Sequence, residues 1–430
     1  MRAAWGGMLM LAAARSLALE PLPNPLTLEA ALRLAQGTQP ELLAAEAAVR
    51  AAEAERIRAE ARTGLNARAE ARLRWVQNPL QTPEPGHDDH RLGLVLRKTL
   101  YDFGRSEAAV LAAGTDVEAR RWLLAEVRQR QVLAVMEAYF DVLLADMAFY
   151  RDNEDMSVKY VRLDRLRDRR ELGQVSDLEV LEQEARYQES RRRRYRSQHR
   201  QRLTRTRLAE ALNRPDDVPA DLEPPRLDFS ARKLEEVEVL QRQALENNFR
   251  LRALRARLRA ARARLAEARR GLRPELRGEA EAFAYSRLRG SGDEWRVGVI
   301  LEYPLADGGL TDAAVARAQA EVFSVQAELA RLERKIRLAV LDLWLELDAL
   351  RVRRDEARTE VDYRELYLDR SRALYEMEVR TDLGDAMTRI TDAQLKAMEV
   401  DLRTALAWAR LDALRGRLVP QPAAGGEGAP

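Results

Sequence analysis

The sequence predicts a mostly α fold with β, built by internal duplication. Three observations predict it. Period-2 alternation over Leu65–Trp75 puts Leu65, Ala67, Ala69, Ala71, Leu73 and Trp75 on one face of a strand, and Asn66, Arg68, Glu70, Arg72 and Arg74 on the other. The same arrangement returns further on: Glu275, Arg277, Glu279 and Glu281 face one way, and Leu276, Gly278, Ala280, Ala282 and Ala284 the other. A shift of 205 aligns Gly93 with Gly298, Asp102 with Asp307 and Gly104 with Gly309. Finally, residues 106–172 hold no proline and one glycine, and 311–377 hold neither. At 1.5 Å per residue each stretch is a rod of roughly 100 Å, a coiled-coil length rather than a globular one.

The elements follow in order. Residues 1–18 are a candidate export signal: Arg2, an apolar stretch from Trp5 to Ala14, and Ser16-Leu17-Ala18 at the cleavage positions. Repeat one covers 19–214. Its first helix opens on Thr27 as N-cap, with a break or new first turn at Pro40 and Thr38 as a possible cap. Strands are expected over about 65–76 and 91–101, a long helix over 106–172 and a return helix over 176–213. Gly173 marks the turn between the helices; Ser176 with Glu179 forms a capping box, and Asp177 adds first-turn negative charge. A linker with four prolines, 215–230, divides the repeats. Repeat two covers 231–417, with one leading helix over Leu234–Arg270, strands over about 274–285 and 295–303, a long helix over 311–377 and a return helix over 381–415. The tail, 418–430, is disordered by composition. Each leading and return helix is about half a rod long, so the two stack end to end beside it.

Composition excludes several function classes. One third of the 430 residues are charged, but the net charge of +3 gives no argument for a nucleic-acid partner. There is no cysteine, which excludes disulfides, thiol catalysis, cysteine-held zinc and a lipid on a processed cysteine. No apolar run reaches the length of a membrane helix. His87, Asp88, Asp89 and His90 read as a polar loop before a metal site, and the basic run Arg191–Arg196 as a rod surface covered by long side chains. No acyl-transfer nucleophile, phosphate loop or zinc-hydrolase motif occurs, so neither an enzyme nor a cofactor is expected.

Amphipathic strands of about ten residues suit a transmembrane β-segment. A solvated sheet on a soluble coiled-coil protein fits the strands alone equally well. An open four-stranded sheet cannot sit in lipid with unpaired edges, and single-chain outer-membrane barrels have at least eight strands. If these strands are in a membrane, the barrel is shared between subunits. Water would then meet the charged face, Arg68, Glu70, Arg72, Arg74, Glu275, Arg277, Glu279 and Glu281.

Several ordered motifs resemble the TolC family of outer-membrane efflux and secretion channels. They are Thr27-Leu28-Glu29-Ala30-Ala31-Leu32 with Pro40-Glu41-Leu42; the strand-to-helix turns Leu100-Tyr101-Asp102-Phe103-Gly104-Arg105 and Pro304-Leu305-Ala306-Asp307-Gly308-Gly309; and Ala138–Leu144 in the first long helix. The resemblance covers about residues 27–417. It implies a homotrimer whose twelve-stranded outer-membrane barrel continues into a long α-helical periplasmic tunnel, in a Gram-negative type of envelope. It also implies outer-membrane lipid, a periplasmic adaptor and an inner-membrane pump as partners. Asp382 and Asp385 match the family's acidic aperture, although ordinary helix-start electrostatics also explains them, as Asp177 in repeat one illustrates. Two departures touch the second helix tip: Glu378 replaces the usual glycine, and Gly384 a bulky aliphatic. The competing reading is a soluble periplasmic structural or adaptor protein, but the lipoyl-like and barrel domains of adaptors have no counterpart here.

Overall fold

The structure is a computed structural model. It describes residues 22–35, 39–77, 87–229, 232–286, 293–377 and 383–422. The export-signal stretch 1–18 lies outside the described residues, as do Thr38, Glu378, Asp382 and most of the tail. Among the described residues twelve elements run in order: α1 (Leu28–Leu34), α2 (Pro40–Ala61), β1 (Asn66–Arg72), β2 (Arg91–Tyr101), α3 (Arg105–Glu171), α4 (Asp177–Ala211), α5 (Val237–Asn247), α6 (Phe249–Ala268), β3 (Glu275–Tyr285), β4 (Trp295–Glu302), α7 (Leu310–Glu376) and α8 (Leu383–Leu414). The chain forms two compact units, one of residues 1–35 with 138–226 and one of 36–137 with 227–430.

In the first unit the far half of α3 turns back into α4. Gly173, at φ +70, closes α3 with the N–H of Gln174 on the carbonyl of Arg169 at 2.9 Å. Ser176 caps α4 reciprocally: its N–H donates to Glu179 at 2.8 Å, and the Glu179 N–H donates to its hydroxyl at 3.3 Å. Asp177 follows, exposed in the first turn. The basic run of α4 is partly spent on α3, with Arg193 on Asp155 at 2.9 Å and Arg194 on Asn153 at 3.0 Å, and further along Arg205 pairs with Asp146 at 2.9 Å. The Leu26–Leu222 bridge joins the lead-in to the inter-repeat linker, and the buried Tyr139 hydroxyl lies 2.7 Å from the carbonyls of Leu26 and Glu223. Thr27 accepts from the Ala30 N–H and so caps α1.

In the second unit the strands form one open antiparallel sheet, β1-β2-β3-β4. Their helices keep the same order. Arg121 on Glu53 joins α3 to α2; Arg264 joins α6 both to α3, through Asp116, and to α7, through Glu321 at 3.0 Å. Along the rest of α7 lies α8, with Arg354 on Asp401 at 2.8 Å. One core cluster packs Leu240 and Ala244 of α5 against Ile336, Val340 and Leu347 of α7 and Leu411 of α8.

Three expectations are corrected. The leading helix of repeat two is broken at Asn248, which is extended (φ −61, ψ 125) and caps α6 through the Leu251 N–H at 3.2 Å. Its amide also donates to the carbonyl of Leu414, so the end of α8 meets the start of α6 beside α7. An asparagine that bonds its own backbone competes with helix continuation, so no proline is needed for the break. The first strand ends at Arg72 rather than near 76; beyond it, Trp75 forms an isolated bridge to Asp88. The N-cap of α2 is Gln39, not Thr38, with Pro40 in the first turn. Smaller differences at other ends are one to three residues, the largest at the start of α5, and reflect fraying of helix and strand limits.

Candidate functional site

The sheet is inverted relative to a soluble one. Register places Ala67, Ala69 and Ala71 beside Leu96, Leu94 and Leu92, then Ala280, Ala282 and Ala284, then Val297 and Trp295, all on one face. That apolar face has no cover: Leu92 is 61% exposed, Val297 74% and Leu301 65%. The covered face is the charged one, where Val95, Glu281 and Phe283 are each under a tenth exposed. Glu281 lies between Arg296 at 2.7 Å and Arg97 at 3.9 Å, and Arg97 also donates to Glu279 at 2.6 Å. Arg91 bonds Glu70 at 3.1 Å and stacks on Phe283 at 4.8 Å. Phe283 lies flat over Gly93, where a Cβ would meet its ring at 2.1 Å.

The candidate water-facing residues share this charged face. Arg68 reaches Glu70 at 3.8 Å, Arg277 reaches Glu302 at 3.4 Å, and Arg105 from α3 reaches Glu275 at 2.6 Å. Arg72 faces the same way. Arg74 stands beyond the strand and pairs with Asp89 in the hairpin end. Sequence reasoning missed Arg91, Arg97, Arg296 and Glu302, which the alternation of the second strands already marked.

It also missed a pair of aromatic borders. Trp75 and Trp295 stand exposed at the hairpin end, and Tyr101, Phe103 and Tyr303 at the helix end. From Trp295 to Tyr303 is about 27 Å along the strand, close to the ~25 Å apolar band between the aromatic girdles of membrane barrels. A bulge makes this possible. Register slips between Thr99 and Tyr101, so Tyr101 pairs with Leu276 and joins the apolar face instead of the charged one.

The two strand-to-helix turns have the same design. The Asp102 carboxylate accepts from the Ser106 N–H at 2.8 Å, and Asp307 from the Thr311 N–H at 2.8 Å. Gly104 and Gly309 sit at φ +82 and +92, where only glycine is unstrained. Gly308 is also left-handed, at φ +65, and its counterpart is Phe103 at φ 54. Burial alone would raise the Asp102 carboxyl; the Ser106 hydrogen bonds and the Arg105 charge outweigh it and hold it below its ordinary value. Hydrogen bonding from Thr311 lowers that of Asp307.

Of the two candidate aperture aspartates, Asp385 is half-buried in the first turn of α8; Asp382 lies outside the described residues. Among the described residues no cluster of His, Asp and Glu could hold a metal ion, and no helix is long and apolar enough to cross a membrane.

A sheet of four strands continued into paired long helices is the fold of TolC-type outer-membrane channels. The outer membrane protein VceC of Vibrio cholerae superposes with a TM-score of 0.74 at 20% identity, covering 90% of this chain and 96% of that one. The Campylobacter jejuni CmeC outer membrane channel gives 0.75 at 14%, covering 92% and 86%. The open state of the Neisseria gonorrhoeae MtrE outer membrane channel gives 0.71 at 18%, covering 91% and 89%. Residues 240–417, from α5 to the end of α8, match the sequence model of the outer membrane efflux protein family. No curated protein matches the chain.

Proposed function

We propose that this chain is the outer-membrane channel of a tripartite efflux or type I secretion system, a passive conduit from periplasm to exterior. The observation that carries the reading is the inverted sheet: charge packed on the covered face, an uncovered apolar face between two aromatic borders, and two open edges. Lipid satisfies the apolar face, and further copies of the chain satisfy the edges. Three copies supply twelve strands, the number that the resemblance implies, with the charged face toward water. The helices extend into the periplasm, where an adaptor and an inner-membrane pump engage them. The soluble coiled-coil alternative leaves the apolar face in water and is not favoured.

Asp382 and Asp385 are assigned to the periplasmic gate. They are three residues apart in sequence, a spacing that would put both carboxylates on one side of a helix, and threefold repetition would make rings that favour cations. Single-channel recording in planar bilayers tests both levels. Cation preference is expected, and it falls in the double variant Asp382→Asn/Asp385→Asn. A conducting channel whose selectivity is the same in that variant rejects the gate; a purified trimer that never conducts rejects the channel.

A further inference from the structure

The second unit contains a groove that the conduit reading does not use. It lies between α3, α6 and α7 and has a volume of about 650 Å³, within the range of small-molecule sites. Its floor is apolar, with Leu123, Leu254 and Leu332 half-buried in it. Its acids are already engaged: Asp116 and Glu321 by Arg264, and Glu328 by Arg257 at 3.5 Å. Four further cations line it, Arg120, Arg250, Arg331 and Lys335, and among the described residues none of them has an acidic partner. At its end the groove runs into a second one that shares Arg250 and Leu332 and adds Leu133, Ile336 and Leu343.

The groove does not open toward α5. That helix sits on the side of α7 marked by Val340, and Gln241 donates to the Arg337 carbonyl there. At about 100° per residue, Lys335 lies about 140° around α7 from Val340, and Arg331 about 180°. Lys335 and Arg331 therefore stand on the far side of α7 from α5.

We infer that this groove binds an organic anion with an apolar body: an aromatic or polycyclic sulfonate or carboxylate rather than a cation or a small inorganic ion. The apolar floor takes the body, and the four unengaged cations take the acid group. A neutral or cationic amphiphile would leave four like charges crowded together, whereas an inorganic anion would leave the leucines wet. As a selector of cargo the groove rests on the channel reading; as a binding site it does not.

The test uses the full-length trimer in a non-ionic detergent, titrated with 1-pyrenesulfonate and followed by fluorescence anisotropy. Its cationic counterpart is 1-pyrenemethylammonium. Saturable binding of the sulfonate is expected, weakened at least tenfold in Arg250→Gln/Arg331→Gln. Arg255→Gln, which alters the Glu333 ion pair on another side of α6, leaves it unchanged. Should the double variant fail to fold by circular dichroism, Arg120→Gln/Lys335→Gln takes its place. Equal binding by the folded variant, equal affinity for the pyrene cation, or no saturable binding overturns the site. The same preparation is recorded in bilayers: conduction without binding rejects the groove alone, and binding without conduction rejects the channel alone.

Discussion

Asp102 and Tyr139 show how single polar groups hold this chain. The Asp102 carboxylate is buried, and its bond from Ser106 fixes the point where β2 becomes α3. Asp102→Ala leaves that N–H without its partner and is expected to cost about 1–3 kcal/mol, read from the urea midpoint of the helical signal. The carboxyl is held below its ordinary value, so its contribution is complete above about pH 4 and is lost as acid carries the pH down through the lowered value. Asp102→Asn flattens that acid-side slope. Tyr139 behaves in the opposite sense. Burial pushes its hydroxyl up to about 12, and its one proton is shared between two carbonyls that tie the lead-in to the linker. Ultraviolet titration should leave one tyrosine un-ionised until about pH 12, and Tyr139→Phe should remove that late step. Phe103 accepts a left-handed backbone where repeat two uses Gly308; the strain keeps an aromatic ring beside Tyr101 at the helix-end border, with centroids 4.7 Å apart.

The strands and rods differ in how much of them the sequence reveals. Alternation over β1 and β3 is legible because each face meets one environment along its whole length. Long helices are legible because proline is missing from both and glycine is missing but for Gly114. The break at Asn248 is not, since asparagine is tolerated within helices and only the neighbouring end of α8 rewards its capping turn. The bulge at Leu100 is hidden for a related reason: it shows in the register with β3, not in the local pattern. Gly93 is intermediate. The repeat marks it together with Gly298, but only the fold distinguishes them, because Phe283 covers Gly93 and nothing lies within 4 Å of a Cβ on Gly298. Gly93→Ala should therefore disrupt the sheet at a cost on the order of 3 kcal/mol, lowering the temperature at which the folded trimer survives in a detergent gel. Gly298→Ala should leave that temperature nearly unchanged.

At the scale of the molecule, the groove between α3, α6 and α7 was beyond the reach of sequence, because it depends on which rods become neighbours. Arg120, Arg250, Arg331 and Lys335 are scattered over more than two hundred positions and look like ordinary surface charge until the helices are side by side. The channel reading carries its own prediction: the protein purifies as a trimer only with detergent. A stable detergent-free monomer would contradict it. The uncovered face of the sheet has one more consequence, for the time before the copies meet. A newly exported chain would already carry an oily, open-edged stave, its charged side packed upon itself and its greasy side bare. In water such a stave sticks to others of its kind. Delivery to the membrane must then outrun clumping, or an escort must shield the strands on the way.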